Sequence, residues 1–369
     1  MKQVFIDGSA GTTGIQIFER LAERDDIKLN ILTGADRKDP EARKNALNKA
    51  DIAFFCLPDA AAVEAAGWCE NPDTVIIDTS TAHRCDDGWT YGFPELCVDK
   101  SAPGYNLYSA EYLRDRIRES KRIANPGCHA SGFIALAAPL VQAGLIPKDA
   151  LLTCFSLTGY SGGGRKMIEE YEGAAGEGKM TEPYASPRQY GLSQSHKHLP
   201  EMAKLTGLKN VPAFCPIVAS FRQGMEVTIP VFADQLSFDS DLLAALQAGG
   251  AGSVIRAIRD YYTDYYQGPV VRVNDDADES GFLAAGKMAG RDDMEIAVFG
   301  NNDRILLTAR FVGSGPKVKC VLGSGPKVKS QATVLWRQTR GLRLTRGLRD
   351  PLPEQRRGLR LRRGKRRGL

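Results

Sequence analysis

The fold is decided by the stretch Val4-Phe5-Ile6-Asp7-Gly8-Ser9-Ala10-Gly11-Thr12-Thr13-Gly14, in which a short apolar strand runs into a glycine-rich turn. The amphipathic segment 15–24 that follows is predicted to be a helix. Glycines let the backbone approach a pyrophosphate, and the positive end of a helix favours its charge. The G-x-x-G-x-x-G spacing departs from the common G-x-G-x-x-G, so an ordinary tight turn is the alternative. We predict that residues 8–14 bind a dinucleotide cofactor.

Strand and helix patterns alternate after this turn. The apolar segments 28–32, 52–57 and 74–78 are predicted strands, and an alanine-rich helix separates the last two. This alternation predicts an α/β fold with a Rossmann-like, doubly wound parallel sheet.

Ligands of such sheets bind beyond the carboxyl ends of the strands. Leu57, Pro58 and Ser80 follow predicted strands there and are candidates for cofactor binding. Arg84 is a candidate for binding an anionic substrate group, with an ordinary surface arginine as the alternative.

The end of the second predicted strand bears on the choice of cofactor. An acidic residue there binds the ribose hydroxyls of NAD, whereas basic residues accept the 2′-phosphate of NADP. Asp36 is followed by Arg37 and Lys38, so we predict NADP, with Arg37 as a binding residue.

Asn125-Pro126-Gly127-Cys128-His129 precedes the apolar segment 130–140, which is predicted to be a helix. Pro126 and Gly127 favour a sharp turn, and a cysteine in the first turn of a helix lies where backbone N–H groups favour a thiolate. We interpret Cys128 as a nucleophile, with a buried structural cysteine as the alternative. Asn125 is a candidate for substrate binding.

A further predicted strand, 152–157, leads into Gly159-Tyr160-Ser161-Gly162-Gly163-Gly164-Arg165. Such a glycine-rich loop follows a ligand closely and offers backbone N–H groups to a phosphate. The candidates within it are Ser161 and Gly162 for the cofactor and Gly159 and Gly163 for the substrate.

The remaining segments predict a second, largely antiparallel sheet. Its strands are predicted at 211–218, 226–231, 270–273, 295–299 and 304–310. The segment 169–183 is predicted to be a mobile loop. Segment 254–266 is predicted to be a helix whose tyrosines lie in the core or in an interface.

His196-Lys197-His198-Leu199-Pro200-Glu201 holds two of the four histidines. A base oriented by a carboxylate is the arrangement that a thiol enzyme needs. A metal site is the alternative, but no further His or Cys cluster completes a ligand set. We predict no metal.

Composition favours a cytoplasmic protein. The eight scattered cysteines contain no C-x-x-C pair, no apolar run approaches 18 residues, and the chain starts in a strand-like segment rather than a signal peptide. The net charge of +5 is uneven: residues 311–369 contain 17 Lys and Arg against Asp350 and Glu354, about +15, which leaves about −10 for residues 1–310. Such a tail can bind polyanions nonspecifically.

Six motifs together resemble the short type of N-acetyl-gamma-glutamyl-phosphate reductase of arginine biosynthesis, in that family's order and over about residues 1–310. They are Gly8-Ser9-Ala10-Gly11-Thr12-Thr13-Gly14, Asp78-Thr79-Ser80-Thr81-Ala82-His83-Arg84, Tyr91-Gly92-Phe93-Pro94-Glu95, Asn125-Pro126-Gly127-Cys128, Gly159-Tyr160-Ser161-Gly162-Gly163-Gly164 and His196-Lys197-His198-Leu199-Pro200-Glu201. Aspartate semialdehyde dehydrogenases share the architecture and remain an alternative. Gly127 and the His-x-His-x-Pro-Glu run favour the acetylglutamyl branch.

The resemblance implies a dinucleotide-binding domain at 1–127 and an α+β catalytic, substrate and dimerisation domain at 128–310, in a homodimer or homotetramer. It also implies the NADPH-dependent conversion of N-acetyl-L-glutamyl 5-phosphate, an acyl phosphate, into the 5-semialdehyde. Cys128 would form a thioester, and His198, positioned by Glu201, would be the acid/base. His196 is the substitute for His198.

The resemblance stops at residue 311. The family continues with an Asp-Asn-Leu turn and a helix that lines the nicotinamide pocket, whereas Gly-Ser-Gly-Pro-Lys-Val-Lys occurs here at 313–319 and again at 323–329. We predict that the low-complexity tail 311–369 is disordered. A catalytically impaired relative whose tail binds nucleic acid or other polyanions is therefore a second hypothesis.

Overall fold

The computed structural model describes residues 1–98, 111–176, 179–238, 246 and 248–312. From position 313 onward the predicted tail lies outside the described residues, so its predicted disorder is not tested. Phe311, which the sequence assigned to the tail, belongs instead to the last strand and is 1% exposed. Within the described ranges, no helix is long and apolar enough to cross a membrane.

Strands and helices alternate along the first part of the chain. The strands are β1 (Lys2–Asp7), β2 (Ile27–Asn30), β3 (Ile52–Phe55), β4 (Val75–Asp78), β5 (Thr90–Tyr91), β6 (Cys97–Val98), β7 (Glu111–Tyr112) and β8 (Arg122–Ala124). The helices are α1 (Thr12–Ala22), α2 (Pro40–Asn48), α3 (Asp59–Gly67) and α4 (Leu113–Glu119). Six strands form one parallel sheet in the order β2-β1-β3-β4-β8-β5, and β6 pairs with β7.

Both faces of the parallel sheet are covered. On β1, Val4 and Ile6 pack into one hydrophobic cluster, and Phe5, on the opposite face, packs into a second. Phe54 and Phe55 of β3 divide between the same two clusters. A strand buried on both faces is apolar at every position, which explains the continuous apolar runs in the sequence. The predicted doubly wound α/β sheet is confirmed.

The second part of the chain is built on a mixed sheet. The strands in this part of the chain are β9 (Thr153–Gly159), β10 (Ala175–Gly176), β11 (Lys179–Met180), β12 (Arg188–Gln189), β13 (Ala213–Ala219), β14 (Met225–Phe232), β15 (Val271–Val273), β16 (Met294–Gly300) and β17 (Arg304–Phe311). Its helices are α5 (Cys128–Gln142), α6 (Gly164–Ala174), α7 (Leu199–Thr206) and α8 (Ser253–Tyr265). Seven strands form a sheet in the order β12-β13-β9-β14-β17-β16-β15, which is parallel only at β13–β9 and β15–β16. The predicted, largely antiparallel second sheet is confirmed.

Helix α5 is buried along almost its whole length. Pro139 has no backbone N–H, so the Ala135 carbonyl loses its partner within the helix. The Tyr266 hydroxyl donates to this carbonyl at 2.7 Å, and the Tyr261 hydroxyl donates to the Pro139 carbonyl at 3.1 Å. These tyrosines therefore contact the core helix, as predicted.

The prediction of a mobile loop at 169–183 is wrong for its first part, because α6 extends to Ala174. Ion pairs four residues apart, such as Arg165 with Glu169, support this helix. Tyr171 anchors the helix: it is fully buried and stacks on Tyr160 at 4.9 Å between ring centroids. Glycines and charged residues concealed the helical pattern.

Candidate active site

The predicted nucleophile lies at a junction between a strand and a helix. β8 ends at Ala124, and Cys128 is the first residue of α5, with Gly127 as its N-cap. Backbone N–H groups in a first helical turn lack helical partners and, with the helix dipole, favour negative charge. No acidic side chain occupies the first turn of α5, and Cys128 is half-buried. The junction thus presents the sulfur where a nucleophile is favoured.

A buried carboxylate holds this junction in place. Glu201, in the first turn of α7 and 1% exposed, accepts hydrogen bonds from the Gly127 N–H at 2.6 Å and the Tyr91 hydroxyl at 2.7 Å. Its Oε2 pairs with the Arg84 guanidinium at 3.3 Å. Burial, and then the Glu201 charge, raise the pKa of Tyr91 well above its usual range, so the phenol remains a donor. We call Glu201 with Arg84 and Tyr91 the carboxylate clamp.

Arg84 is engaged by protein acceptors on several sides. Besides Glu201, its Nε donates to the Asn125 carbonyl at 2.9 Å and its Nη2 to the Thr79 carbonyl at 3.0 Å. The Asn125 N–H donates to the Asp78 carbonyl at 2.7 Å, so the backbone before the nucleophile is also fixed. Substrate binding by Arg84 and Asn125 stays a prediction, while the structure gives both residues contacts that shape the junction.

His198 reaches the junction at Gly127. A Cβ added to Gly127 would lie 2.6 Å from His198 Nε2, 2.6 Å from Glu201 Oε2 and 2.7 Å from Arg84 Nη1. These atoms therefore converge on the residue before Cys128, and only glycine leaves them room. That Glu201 positions His198 stays a prediction, whereas the structure shows that Glu201 holds the turn before Cys128.

His196 lies beside His198, with 4.7 Å between the ring centroids. Its Nδ1 accepts a hydrogen bond from the His198 backbone N–H at 3.2 Å. Burial, and then the positive charge of Lys197, lower the pKa of His196, which favours the neutral ring. The choice of His198 over His196 as the acid/base stays a prediction, which the position of His198 Nε2 beside Gly127 supports.

The glycine-rich turn fits a dinucleotide through its backbone. An added Cβ on Gly8 would lie 2.3 Å from the Cys56 carbonyl oxygen, and one on Gly14 would lie 2.4 Å from the Gly8 carbonyl oxygen. These glycines let β1, the turn and α1 pack closely, and Gly8 has a φ of +81°. Gly11, the N-cap of α1, is exposed, and no acidic side chain occupies the first turn of α1. This open helix N-terminus suits a pyrophosphate.

Other predicted cofactor residues lie along the same edge of the parallel sheet. Leu57 and Pro58 connect β3 to α3. Arg37 is exposed in a short 3-10 turn after β2, where it is open to a 2′-phosphate. Ser80, after β4, donates its hydroxyl to Asp78 at 2.6 Å and is buried.

The predicted glycine loop is a 3-10 turn, Tyr160–Gly163, that enters α6. Ser161 and Gly162 lie in this turn, and α6 contacts α1 of the dinucleotide-binding part. Gly159 and Gly163 are packed closely: an added Cβ would lie 2.7 Å from the carbonyl oxygens of residues 221 and 222, or 2.4 Å from a methionine sulfur. Their predicted role in substrate binding stays a prediction.

Sequence reasoning missed three polar residues beside the site. His129 lies between the Ser156 hydroxyl and the Tyr190 hydroxyl, within hydrogen-bond distance of each. One signal was available: His129 directly follows Cys128 and is the one basic residue of a largely small and apolar helix. In the part of the chain that the structure describes, no group of three or more His, Cys, Asp and Glu side chains could hold a metal ion.

Comparison with known proteins identifies two matching domain families. Residues 3–102 match the NAD binding domain of semialdehyde dehydrogenases, and residues 128–311 match their dimerisation domain.

Relatives of similar length share substantial identity with this chain. N-acetyl-gamma-glutamyl-phosphate reductase of Burkholderia cenocepacia is 40% identical over 315 residues, which are 85% of this chain and 92% of that protein. The protein of the same name from Chelativorans sp. is 48% identical over 229 residues, 62% of this chain and 68% of that protein.

Solved structures show the same fold at low identity. Aspartate semialdehyde dehydrogenase II of Vibrio cholerae superposes with a TM-score of 0.59 at 16% identity, covering 87% of this chain and 96% of that chain. The structure from Francisella tularensis gives 0.56 at 14% identity, covering 85% and 95%.

Proposed function

The chain belongs to the N-acetyl-gamma-glutamyl-phosphate reductase family of semialdehyde dehydrogenases, and on that premise we propose that it reduces N-acetyl-L-glutamyl 5-phosphate with NADPH. The products are N-acetyl-L-glutamate 5-semialdehyde, NADP and phosphate, and the step belongs to arginine biosynthesis. The observation that carries the proposal is the junction at Gly127, where Cys128, His198 and the carboxylate clamp meet. The family membership confirms the resemblance that the motifs indicated.

Cys128 is the nucleophile of the reaction. Its sulfur attacks the acyl carbon of the substrate, phosphate leaves, and a thioester on Cys128 remains. When bound, NADPH supplies a hydride to the thioester carbon. The tetrahedral oxyanion then expels the sulfur, which releases the aldehyde and restores the thiolate.

His198 moves the proton. Its Nε2 takes the thiol proton and delivers it to the departing phosphate, and one proton from solvent replaces it in each turnover. General acid–base catalysis of this kind contributes about 10²–10⁴-fold. The carboxylate clamp keeps the Gly127 N–H and therefore the Cys128 backbone fixed while the proton moves.

The cofactor is held through backbone and basic groups. The turn at residues 8–14 binds the pyrophosphate at the N-terminus of α1, and the exposed Arg37 contacts the 2′-phosphate that distinguishes NADP from NAD. Leu57, Pro58 and the turn that contains Ser161 complete the cofactor site.

The second sheet offers a face for a second copy of the chain. Three large apolar side chains on its strands are exposed: Phe155 by 44%, Phe232 by 53% and Leu306 by 42%. Phe155 lies within the sheet rather than at its edge, because it is paired with Thr228 on one side and Cys215 on the other. An exposed apolar sheet face of this kind marks an association surface. The match to a dimerisation domain supports a homodimer, or a tetramer built from it. The cytoplasmic location and polyanion binding by the tail stay predictions from the sequence.

The reverse reaction tests this function directly. N-acetylglutamate semialdehyde, phosphate and NADP are mixed with the protein, and formation of NADPH is followed by absorbance. We expect NADPH formation that depends on phosphate and disappears in Cys128→Ser. It should persist in the control Cys69→Ser, because the Cys69 thiol lies beside Asn71 rather than beside His198. No turnover by protein that circular dichroism shows to be folded would refute the assignment.

A further inference from the structure

His129 is the centre of a buried hydrogen-bond chain that the reaction described above does not use. The side chain is 4% exposed, and its Nδ1 lies 2.6 Å from the Ser156 hydroxyl oxygen. Its Nε2 lies 2.7 Å from the Tyr190 hydroxyl oxygen. Ser156 on β9 is fully buried, whereas Tyr190, just after β12, is half-buried. The chain therefore leads from the core to the site.

The outer end of this chain lies beside the nucleophile. His129 follows Cys128 in the first turn of α5, and the Tyr190 ring lies 6.1 Å from the His196 ring. Burial, and then negative charge on Cys128, raise the pKa of Tyr190 above its usual range. The phenol consequently remains protonated at neutral pH and is available as a hydrogen-bond donor.

Polar and aromatic groups from several elements surround the His129 ring. The described groups around it include Ser156 from β9, Phe214 from β13, and Tyr190, His196 and His198 from the segment before α7. Two of these groups are imidazoles, whose ring centroids lie 5.6 and 5.9 Å from that of His129. Both ring nitrogens face hydroxyl groups, and a hydroxyl group can either donate or accept.

A neutral imidazole between two hydroxyl groups has two possible directions of donation. If Ser156 donates to Nδ1, then Nε2–H donates to the Tyr190 oxygen, and the Tyr190 O–H is left to point into the site. Negative charge that develops on an oxygen near Cys128 favours this direction, because the phenol then becomes a donor to it.

We propose that Tyr190 is a further catalytic residue, which donates a hydrogen bond to the carbonyl oxygen attacked by Cys128, and that His129 and Ser156 are its positioning residues. This inference rests on the proposed function only through Cys128 as the nucleophile. It applies to any carbonyl compound that acylates Cys128, so it is testable without the natural substrate.

Acylation of Cys128 by p-nitrophenyl acetate is the test, with the burst of p-nitrophenolate as readout and Cys128→Ser as blank. Tyr190→Phe should slow the burst by about 10²-fold, the loss typical of one oxyanion donor. The control Tyr184→Phe, a tyrosine of the same small cluster, should leave it unchanged. Alkylation of Cys128 by iodoacetamide develops no oxyanion. Its rate should therefore be similar in wild type, Tyr190→Phe and Tyr184→Phe.

Two substitutions of His129 separate positioning from mere stability. The amide of a glutamine reaches the position of Nε2 and keeps the contact to Tyr190, whereas that of an asparagine reaches only Nδ1 and keeps the contact to Ser156. Each variant loses one hydrogen bond, so their thermal midpoints should be similar. The burst rate of His129→Gln should stay within about threefold of wild type, whereas that of His129→Asn should fall about tenfold or more.

Each outcome decides the proposal. Wild-type acylation rates in Tyr190→Phe, or equal rates in the two His129 variants, would overturn it. If the wild-type protein is acylated in this pattern but fails the reverse assay with N-acetylglutamate semialdehyde, the proposed function is wrong and the role of Tyr190 stands.

Discussion

Replacing Gly127 by alanine is the sharpest perturbation of this site, since it adds one methyl group beside the nucleophile. The backbone of Gly127 has φ −68° and ψ 145°, which alanine adopts without strain. The effect of Gly127→Ala must therefore come from space alone. The added Cβ would meet His198, Glu201 and Arg84 at 2.6–2.7 Å.

The size of the effect follows from these distances. Ordinary van der Waals contact of a Cβ begins near 3.4 Å, so each of the three atoms would have to retreat by about 0.7–0.8 Å. Overpacking of a buried site costs about 1–3 kcal/mol in the free energy of unfolding. Displacing a catalytic group by nearly 1 Å lowers turnover about 10²-fold. We expect both losses in Gly127→Ala.

The assay combines the reverse reaction with denaturant unfolding. Gly173→Ala is the matched control, because an added Cβ there meets nothing within 4 Å and alanine is favoured over glycine in helix α6 by about 0.5–1 kcal/mol. The control should be as active as wild type and slightly more stable. A Gly127→Ala protein with kcat within threefold of wild type would refute the convergence of His198 and Glu201 on this residue.

Three further predictions concern charged groups. Glu201→Gln leaves Arg84 without its buried anionic partner and should lower the free energy of unfolding by about 3–5 kcal/mol in denaturant titrations, and an unchanged stability would contradict the clamp. Arg37→Ala should raise KM for NADP about tenfold or more and leave KM for NAD unchanged in steady-state assays, and a parallel change in both would remove Arg37 from the 2′-phosphate site. Hydrogen bonding to Lys287 first, and to a buried arginine, lowers the pKa of Glu279 to about 2, so its stabilising contribution is present above the ordinary pKa of about 4.5 and is lost as the pH falls towards 2. The thermal midpoint of Glu279→Gln should consequently fall less than that of wild type over this range.

Local patterns sufficed to predict the fold and the position of Cys128 in the first turn of a helix. The strand before Gly8 and the helix after Gly14 are neighbours in the sequence, and the chemistry of the turn needs only backbone and a helix N-terminus. The same holds for Cys128, where a strand, a turn and a helix follow one another within about 20 residues. The family comparison agrees with both assignments of fold.

The partners of Glu201 were beyond sequence reasoning for a physical reason. Its hydrogen bonds reach Tyr91, 110 residues away, and Gly127, 74 residues away. The sequence suggested that Glu201 pairs with His198, because the two are only three residues apart and a carboxylate can orient a histidine base. Which donors a buried carboxylate takes is decided by the packing of α7 against α5, and no periodicity records that packing.

The clamp also couples the two parts of the chain at the turn before Cys128. Tyr91 and Arg84 come from the end of the parallel sheet, whereas Glu201 comes from α7 beside the second sheet. The Gly127 N–H is held where the two parts meet. Glu201 needs the Arg84 guanidinium beside it, because a buried carboxylate without a cationic partner is costly. The turn before Cys128 is therefore assembled by the docking of the two parts, and in the proposed function the same contacts bring the cofactor edge to Cys128. A change that loosens this docking should lower the reactivity of Cys128 before it unfolds either sheet, since the junction depends on a few long-range bonds and each sheet on many local ones.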